Sequence, residues 1–291
     1  MPRIIIDCHG LGYRSLYSMG SLSHQSKKTG VIFGFLSEII KLAEKFDTNQ
    51  FIFCWDSRHS YRKEIEPEYK AHRGDMPELQ KVEIAQAHIQ FDLLRNEILP
   101  AMGFKNIFLQ SGYEADDLIA WITYRCPNDY LIVTGDNDLF QLLKEKPPSV
   151  RIYNLREKKV FTENDFMAKY GIKTSNWAEV KAIGGCTSDN IRGIPGVGPE
   201  SAIKYINGAL KDGAVKSKIE SLAGLATIEH GLNLTFLPLN GDRSINIIED
   251  RNEFYKEETF SAVNFLSIFR KYGLNSFNID YWRKHFKLIE G

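Results

Sequence analysis

The sequence YLIVTGDND at residues 130–138 joins a run of β-branched and aromatic residues to two aspartates. A short apolar run that ends at a glycine is typical of a buried strand. Three other apolar runs of this kind occur, at residues 3–6, 51–55 and 106–109, and helical patterns separate most of the four. Because strands that alternate with helices form parallel sheets, the sequence predicts an α/β fold with a mostly parallel sheet flanked by helices.

Two helical patterns lie between these strands. Thr29 stands where it can cap the first helix, and Pro77 precedes the second, at residues 78–99. The predicted apolar face of the first helix is Phe35, Ile39, Leu42 and Phe46. The predicted apolar face of the second helix is Val82, Ala85, Ile89 and Leu93. Residues 151–161 predict a hairpin at the edge of the sheet, and helical patterns dominate after about residue 172.

The composition excludes several classes of protein. The chain has 291 residues, 43% of them hydrophobic, and its 37 basic residues balance 37 acids, so it is not intrinsically disordered. It has no long apolar run, no signal-peptide pattern and no C-x-x-C pair among its four scattered cysteines. We therefore expect a reduced intracellular protein in the cytoplasm, or in the host cytoplasm if it is viral. The neutral sum by itself argues against a nucleic-acid binder.

Acidic residues follow all four predicted strands. These seven acids are Asp7, Asp56, Glu114, Asp116, Asp117, Asp136 and Asp138. Because ligands of open α/β sheets bind beyond the carboxyl ends of the strands, we expect the seven carboxylates at one edge of the sheet. Asp189, in the loop GGCTSDN at residues 184–190, is an eighth candidate.

Each acid taken singly has an ordinary structural explanation. Acids in the first turn of a helix favour its dipole, and aspartates are common in turns and helix caps. Acids at four strand ends together are harder to explain in this way, because packed carboxylates repel one another unless cations are present. In the absence of His and Cys clusters, the pattern predicts Mg²⁺ or Mn²⁺, two ions per active site, rather than zinc. Such a pair of ions indicates phosphodiester chemistry.

A basic segment at residues 57–73 follows the second strand. Its cations are Arg58, Arg62, Lys63, Lys70 and Arg73, with Tyr61 and Tyr69 between them. Cations can hold phosphates and aromatic rings can stack on unpaired bases. A solvated linker is the alternative, because Glu64, Glu66 and Glu68 share the segment. The position of the segment beside the predicted acidic edge favours nucleic-acid binding.

A glycine-rich turn, IRGIPGVGPESA at residues 191–202, precedes a further helical pattern. Gly196 and Gly198 permit a tight turn, and the amides at a helix N-terminus can bind an anion. A turn of this kind can hold a duplex by its phosphates without reading its sequence. Alone this motif is weak evidence for DNA binding, but the acidic residues described above make the interpretation stronger.

Several motifs now fall in the order of a known superfamily. Asp7, Asp56, GYEADD (112–117), TGDND (134–138) and SDNIRGIPGVG (188–198) resemble the motifs of the 5′-nuclease, or flap endonuclease, superfamily. Its members include phage 5′→3′ exonucleases and the 5′-nuclease domain of bacterial DNA polymerase I. The stretch PEYKAHR at residues 67–73 is similar to the P-x-Y-K-x-x-R arch segment of the family. The resemblance covers residues 3–205.

The resemblance implies a fold and a division into domains. Residues 1–172 would form a PIN-like nuclease core, with a helical arch, or clamp, at about residues 57–100. Residues 173–291 would form a helical DNA-binding part, with a helix–two-turn–helix element, similar to a helix-hairpin-helix, at about residues 184–207.

The resemblance also implies roles for single residues. The first metal site would comprise Asp7, Asp56, Glu114 and Asp116, and the second Asp117, Asp138 and Asp189, with Asp136 between them. Lys70 and Arg73 would be catalytic cations on the scissile phosphate, with Tyr69 in the neighbouring stacking position. Further DNA contacts would come from Arg58, Arg62, Lys63, Gly196, Val197, Gly198 and Lys204. In relatives, the glycine turn binds backbone phosphate through K⁺.

The chain departs from the family pattern at two positions. Cys186 stands where the family loop has its first Asp, and a thiol is a poor Mg²⁺ ligand, so we expect weaker binding of the second metal. Glu200 stands where relatives often carry Lys, although Lys204 one turn later can substitute for it.

We therefore predict a metal-dependent, structure-specific 5′-nuclease that acts as a monomer in replication or repair. It would hydrolyse DNA that carries a 5′ flap, overhang or nick, and leave 5′-phosphates. One alternative is a branched-DNA-binding protein with weak or lost catalysis, because of Cys186. Another is a PIN-type ribonuclease, although such nucleases usually lack the glycine turn.

The neutral total charge is consistent with this prediction. If the eight candidate carboxylates share one crevice, 29 acids remain elsewhere against 37 basic residues. The rest of the molecule is then basic enough to bind DNA.

Overall fold

The computed structural model describes residues 2–71, 76–241 and 255–290. Within these residues, the strands are β1 (Arg3–Asp7), β2 (Ser23–His24), β3 (Lys27–Lys28), β4 (Phe51–Trp55), β5 (Ile107–Leu109), β6 (Tyr130–Thr134), β7 (Val150–Asn154) and β8 (Lys159–Phe161). Strands β2 and β3 form a small antiparallel pair, and the other six belong to a mostly parallel sheet. Strand β1 pairs in parallel with β4, and β6 with β7, whereas β8 is antiparallel to β7. The predicted α/β class and the edge hairpin are confirmed.

Helices flank the strands and dominate the second half of the chain. Those described are α1 (Cys8–Met19), α2 (Gly30–Phe46), α3 (Tyr61–Ile65), α4 (Glu78–Leu93), α5 (Leu99–Met102), α6 (Ala115–Arg125), α7 (Glu163–Tyr170), α8 (Trp177–Gly184), α9 (Pro199–Ile206), α10 (Ala214–Glu220), α11 (Leu222–Thr235), α12 (Ala262–Lys271) and α13 (Ile279–Phe286). A π-helical turn, Leu94–Ile98, connects α4 to α5. Among the described residues, no helix combines the length and the apolar character that crossing a bilayer requires.

The chain divides into two compact units. The first comprises Met1–Trp55, Pro77–Phe108 and Ile248–Gly291, and the second comprises Asp56–Met76 and Leu109–Ile247. Every predicted site residue that the structure describes, except Asp7, lies in the second unit. The boundary at residue 172, which the family motifs imply, divides the predicted nuclease core from the predicted DNA-binding part. It stays a prediction.

In the first unit, apolar strands pack against helix α2. Ile4 lies opposite Phe51 in the parallel register, and Phe35 of α2 stacks on Trp55 with ring centroids 5.9 Å apart. Of the predicted apolar face of α2, Phe35, Ile39 and Leu42 are buried, as their helical spacing indicates.

The N-terminus of α2 is capped in a way that the sequence did not indicate. Thr29 holds the N-cap position, but its side chain makes no capping hydrogen bond. Instead, the side-chain oxygen of Gln90 accepts hydrogen bonds from the amides of Val31 and Ile32, at 3.0 and 3.3 Å. These amides would otherwise lack partners inside the helix. The capping role assigned to Thr29 is therefore corrected.

The predicted apolar face of α4 is wrong. Val82 and Ile89 are 53% and 55% exposed, whereas Ala87, Gln90 and Phe91 are buried. The buried face is rotated because Gln90 turns inward to cap α2, while Phe91 packs against Tyr13 and Trp55. The helix starts after Pro77 as predicted, and Val82 and Ile89 of its predicted apolar face are exposed to solvent.

In the second unit, every residue of β6 is buried. Across both units, β4 and β6 have the bounds predicted for them, residues 51–55 and 130–134. Strand β1 extends one residue beyond its predicted end, to Asp7, and β5 begins one residue later than predicted, at Ile107. Strand β6 ends at Thr134, so that Asp136 and Asp138 follow directly in the next turn.

Candidate active site

Seven of the eight predicted acids lie in the second unit, and backbone amides donate hydrogen bonds to Asp56 and Asp136 among them. The amide of Ala115, at the start of α6, donates to Oδ1 of Asp56 at 2.7 Å. The amide of Asp138 donates to Oδ1 of Asp136 at 2.8 Å, which orients the loop after β6. Asp116 is half-buried and Asp136 is exposed. In the first unit, Asp7 caps α1 and accepts a hydrogen bond from the amide of Gly10 at 3.0 Å.

Lys70 joins two of the acids. Its Nζ lies 2.8 Å from Oε2 of Glu114 and 3.7 Å from Oδ1 of Asp189. The backbone of Lys70 is left-handed, with φ of 55°, and its amide donates to the carbonyl of Asp189 at 2.9 Å. The basic segment is therefore fixed against the acidic cluster by its backbone as well as by its charge.

The charges around Glu114 keep it ionised. Burial alone would raise the pKa of Glu114, but the charges of Lys70 and Arg62 and hydrogen bonds from Lys70 and Tyr69 outweigh it and lower this pKa to about 2. Burial opposes the charge of Lys70 as well, yet the neighbouring Glu114 raises the pKa of Lys70 above its usual range. The pair is therefore charged at neutral pH.

Tyr69 does not occupy a stacking position. It is 3% exposed and packs with Cys186, Ile191 and Leu234, while its hydroxyl donates to Oε2 of Glu114 at 3.0 Å. The sequence-based prediction that Tyr69 stacks on DNA is corrected, because a buried ring cannot receive a base. The hydrogen bond from its hydroxyl instead ties the ring to the carboxylate of Glu114.

Arg62 and Asp117 form a buried ion pair. Their side chains are 3% and 0% exposed, and two hydrogen bonds of 2.6 and 2.8 Å join the guanidinium to both carboxylate oxygens. Nε of Arg62 also donates to the carbonyl of Leu234 at 2.9 Å. Burial opposes the charge of Arg62, but Asp117 outweighs it and raises the pKa of the guanidinium. The prediction that Arg62 contacts DNA is corrected, because the structure buries it.

Asp117 has no room for a metal ion in this arrangement. One oxygen accepts from Arg62 and from the amide of Leu239 at 2.8 Å, and the other accepts from Arg62 and from the amide of Glu114 at 3.0 Å. A carboxylate has about four acceptor positions, and all four are used. The prediction that Asp117 is a ligand of the second metal is therefore corrected.

A second cluster brings Asp138, Cys186 and Asp189 together. One ligand atom from each lies within 4.8 Å of the others, and Sγ of Cys186 is 3.6 Å from Oδ2 of Asp189. Lys181, which the sequence did not single out, forms an ion pair with Asp138, and its Nζ lies 3.9 Å from Sγ of Cys186. Its position in α8, five residues before Cys186, is the only signal that the sequence offers for it.

The donor chemistry of the two groups differs. Asp56 and Glu114 offer oxygen atoms, which fit a hard divalent ion such as Mg²⁺ or Mn²⁺. The second group replaces one oxygen with the sulfur of Cys186, so it does not fit Mg²⁺ in the same way.

The glycine-rich turn lies between α8 and α9. Gly196 and Gly198 are exposed, and no heavy atom lies within 4 Å of a Cβ built on Gly198. Lys218, which no sequence motif singles out, donates to the carbonyl of Pro195 at 3.3 Å and is exposed beside the turn. Val197 is buried and anchors the turn.

The other predicted contacts are placed as follows. Arg58, Lys63 and Lys204 are exposed, as a phosphate contact requires. Glu200 is exposed in the first turn of α9. Arg73 lies outside the described residues.

Comparison with known proteins identifies the family. The profile of the family described as "5'-3' exonuclease, N-terminal resolvase-like domain" matches residues 2–171. The chain is 30% identical over 230 residues to the 5'-3' exonuclease of Buchnera aphidicola subsp. Acyrthosiphon pisum (strain APS), and the match covers 77% of this chain and 76% of that protein. The chain belongs to the 5'-3' exonuclease family. The predicted superfamily is thus confirmed, and the nuclease interpretation is favoured over both alternatives.

Longer relatives and solved structures extend the comparison. The chain is 31% identical over 214 residues to DNA polymerase I of Mycobacterium leprae (strain TN). This match covers 70% of this chain but only 22% of that protein. The chain therefore spans less than a quarter of that relative. The structure of T5 5'-exonuclease with bound divalent metal ions (zinc) shares the fold, with a TM-score of 0.67 and 21% identity over 82% of this chain and 90% of that chain. The catalytic core of Rad2 in complex with DNA substrate also shares it, with a TM-score of 0.56 and 16% identity over 98% of this chain and 91% of that chain.

Proposed function

We propose that this chain is a divalent-metal-dependent 5′-nuclease that hydrolyses DNA phosphodiesters near junctions of single and double strands. Its substrates would carry a 5′ flap, overhang or nick, its products would carry 5′-phosphates, and it would serve replication or repair as a monomer. The observation that carries the proposal is the contact of Lys70 with Glu114 and Asp189, because it fixes a cation of the basic segment against the acidic cluster.

The metal ions that we propose are Mg²⁺ or Mn²⁺. Asp56, Glu114, Asp116 and Asp136 of the second unit are the residues that would hold them. The assignment of Asp7 to the first metal site, which the family motif implies, stays a prediction. When bound, such ions supply an activated water and stabilise charge on the reacting phosphate. The low pKa of Glu114 supports this assignment, because the carboxylate is ionised before a metal arrives.

The side chains of the basic segment would position the phosphate. Lys70 is already ionised, so it can exchange its contact with Glu114 for one with the scissile phosphate without gaining a proton. Tyr69 keeps Glu114 oriented while this exchange takes place. We propose that Arg73 adds a second cation, as the family motif implies. Preorganised charges of this kind act mainly on the transition state.

DNA binding would use surfaces outside the cluster. We propose that residues 173–291 form the duplex-binding part, in which the exposed glycine turn and Lys204 hold backbone phosphate, with K⁺ at the turn. Arg58 and Lys63 would hold the strand that enters the segment at about residues 57–100. The exposure of Gly198 supports this, because a phosphate can approach its backbone closely.

Asp136→Asn tests the proposal. The substitution removes a charge from an exposed acid of the site and keeps its shape, so binding of a labelled flap substrate should persist while cleavage is lost. Asp212→Asn is the matched control, since Asp212 is an exposed acid that pairs only with Lys216 among the described contacts. Wild-type cleavage rates by Asp136→Asn with Mg²⁺ would contradict the assignment.

A further inference from the structure

The mixed cluster of Asp138, Cys186 and Asp189 points to a metal other than Mg²⁺. We propose that this site binds a borderline-soft divalent ion, such as Zn²⁺ or Co²⁺, with Cys186 as a ligand, in preference to Mg²⁺. This inference rests on the proposed function, because the cluster would be the second metal site of the nuclease. It names the class of ion that this second site binds.

The geometry of the cluster fits such an ion. Sγ of Cys186 is 3.6 Å from Oδ2 of Asp189, and Asp138 completes a group whose ligand atoms lie within 4.8 Å of one another. Tetrahedral zinc, with a Zn–S bond of about 2.3 Å and Zn–O bonds of about 2.0–2.2 Å, places its sulfur and oxygen ligands about 3.6 Å apart. The separation in the protein is therefore already that of two ligands of one ion.

The chemistry of the donors favours the same conclusion. Thiolate sulfur selects zinc-like ions, whereas Mg²⁺ prefers an octahedron of oxygen atoms and retains its waters. Three protein ligands also leave a fourth position for water, which is the arrangement of catalytic zinc sites. The substitution of sulfur for oxygen thus changes which ion the site prefers.

The surroundings of Cys186 hold its sulfur toward the carboxylates. The residue is 8% exposed and packs with Tyr69, Ile191 and Leu234 on its apolar side. On its polar side, Oγ of Ser188 lies 3.0 Å from Sγ. Nζ of Lys181 lies 3.9 Å from Sγ and forms an ion pair with Asp138. A metal ion that binds here must compete with this ammonium for Asp138.

Co²⁺ is the probe for this site, because its bond to sulfur gives a charge-transfer absorption in the near ultraviolet. Titration of the full chain with Co²⁺ should produce this band and saturate it at one equivalent. Zn²⁺ at equimolar concentration should abolish the band, whereas a large excess of Mg²⁺ should leave it. A band that is absent, or that Mg²⁺ removes as readily as Zn²⁺, would overturn the inference, and this test needs no variant.

Variants then assign the band to one sulfur. Cys186→Ser should lose the band and bind Zn²⁺ at least about 10-fold more weakly, the scale on which even indirect partners of a metal site act. Cys186→Asp should lose the band and gain affinity for Mg²⁺. Cys126→Ser is the matched control and should keep the band, because Cys126 lies outside the cluster. An unchanged band in Cys186→Ser would overturn the inference.

The spectroscopic readout separates this inference from the proposed function. If the band is absent but Mg²⁺ or Mn²⁺ still supports cleavage of a flap substrate, the inference fails and the proposed function stands. If the band is present but no divalent ion supports cleavage, the proposed function fails and the metal site stands.

Discussion

Nζ of Lys70 lies 2.8 Å from Oε2 of Glu114, so a cation of the basic segment neutralises an acid at the start of α6. The same ammonium lies 3.7 Å from Asp189, in the loop between α8 and α9. Three separate parts of the second unit therefore meet at one charge. This contact explains how a short basic segment is held at the acidic cluster, and it makes the role of Lys70 testable.

Lys70→Met should impair catalysis more than binding. Loss of a preorganised charge typically costs about 10²–10³ in rate, and methionine keeps most of the volume of the lysine side chain. Single-turnover cleavage of a flap substrate with divalent metal measures the rate. Affinity for the same substrate is measured by binding titrations with two proteins, Asp136→Asn and the double variant Lys70→Met/Asp136→Asn. Lys146→Met is the control, because Lys146 is an exposed cation of the second unit outside the basic segment. Equal cleavage rates for Lys70→Met and wild type would exclude a catalytic role.

Arg62→Ala should destabilise the second unit strongly. The substitution leaves Asp117 buried without its cation, and breaking a buried ion pair in this way typically costs about 3–5 kcal/mol. Chemical denaturation followed by circular dichroism measures the free energy of unfolding. Arg58→Ala, which removes an exposed arginine nearby, should change this free energy little. If the two variants were equally stable, the structural role that we assign to Arg62 would be wrong.

Two glycine substitutions should separate structure from DNA binding. A Cβ on Gly193 would lie 2.2 Å from the backbone nitrogen of Gly185, so Gly193→Ala should destabilise the fold by about 1–3 kcal/mol. A Cβ on Gly198 meets no heavy atom within 4 Å, so Gly198→Ala should fold normally. Because the added methyl group would keep phosphate away from the backbone, this variant should bind a nicked duplex more weakly. Undiminished binding by Gly198→Ala would contradict the phosphate contact.

The stability of the first unit should fall as the pH rises from about 4.5 to 7. Burial raises the pKa of Glu258 to about 7, against hydrogen bonds from the amide of Lys105 and the side chain of Asn106. In this window the unfolded carboxyl is ionised while the folded one retains its proton, so the folded state loses stability at about 1.4 kcal/mol per pH unit. The free energy of unfolding, compared between wild type and Glu258→Gln across this range, measures the effect. A constant difference between the two proteins would contradict it.

The strands and the acidic residues beyond them could be predicted because both depend on local sequence. Runs of β-branched and aromatic residues give β4 and β6 their bounds, and the family motifs lie in the turns that follow. These features need only short-range periodicity and spacing.

The partners of charged and aromatic side chains could not be predicted. Arg62 and Tyr69 look like surface residues of a basic segment, and only tertiary packing shows that Asp117 and Glu114 bind them. Gln90 looks like a solvated residue of α4, yet it caps α2. In each case the decisive contact comes from a residue more than 40 positions away, so no local pattern could reveal it.

Side-by-side digestion of flap, nicked and blunt duplex DNA, with Mg²⁺ and with a chelator, is the decisive experiment for a metal-dependent 5′-nuclease. We expect cleavage of the flap near its junction, with 5′-phosphate products, only when a divalent ion is present and only weakly on the blunt duplex. Cleavage that persists in the chelator, or tight binding of the flap without any cleavage at saturating metal, would contradict it.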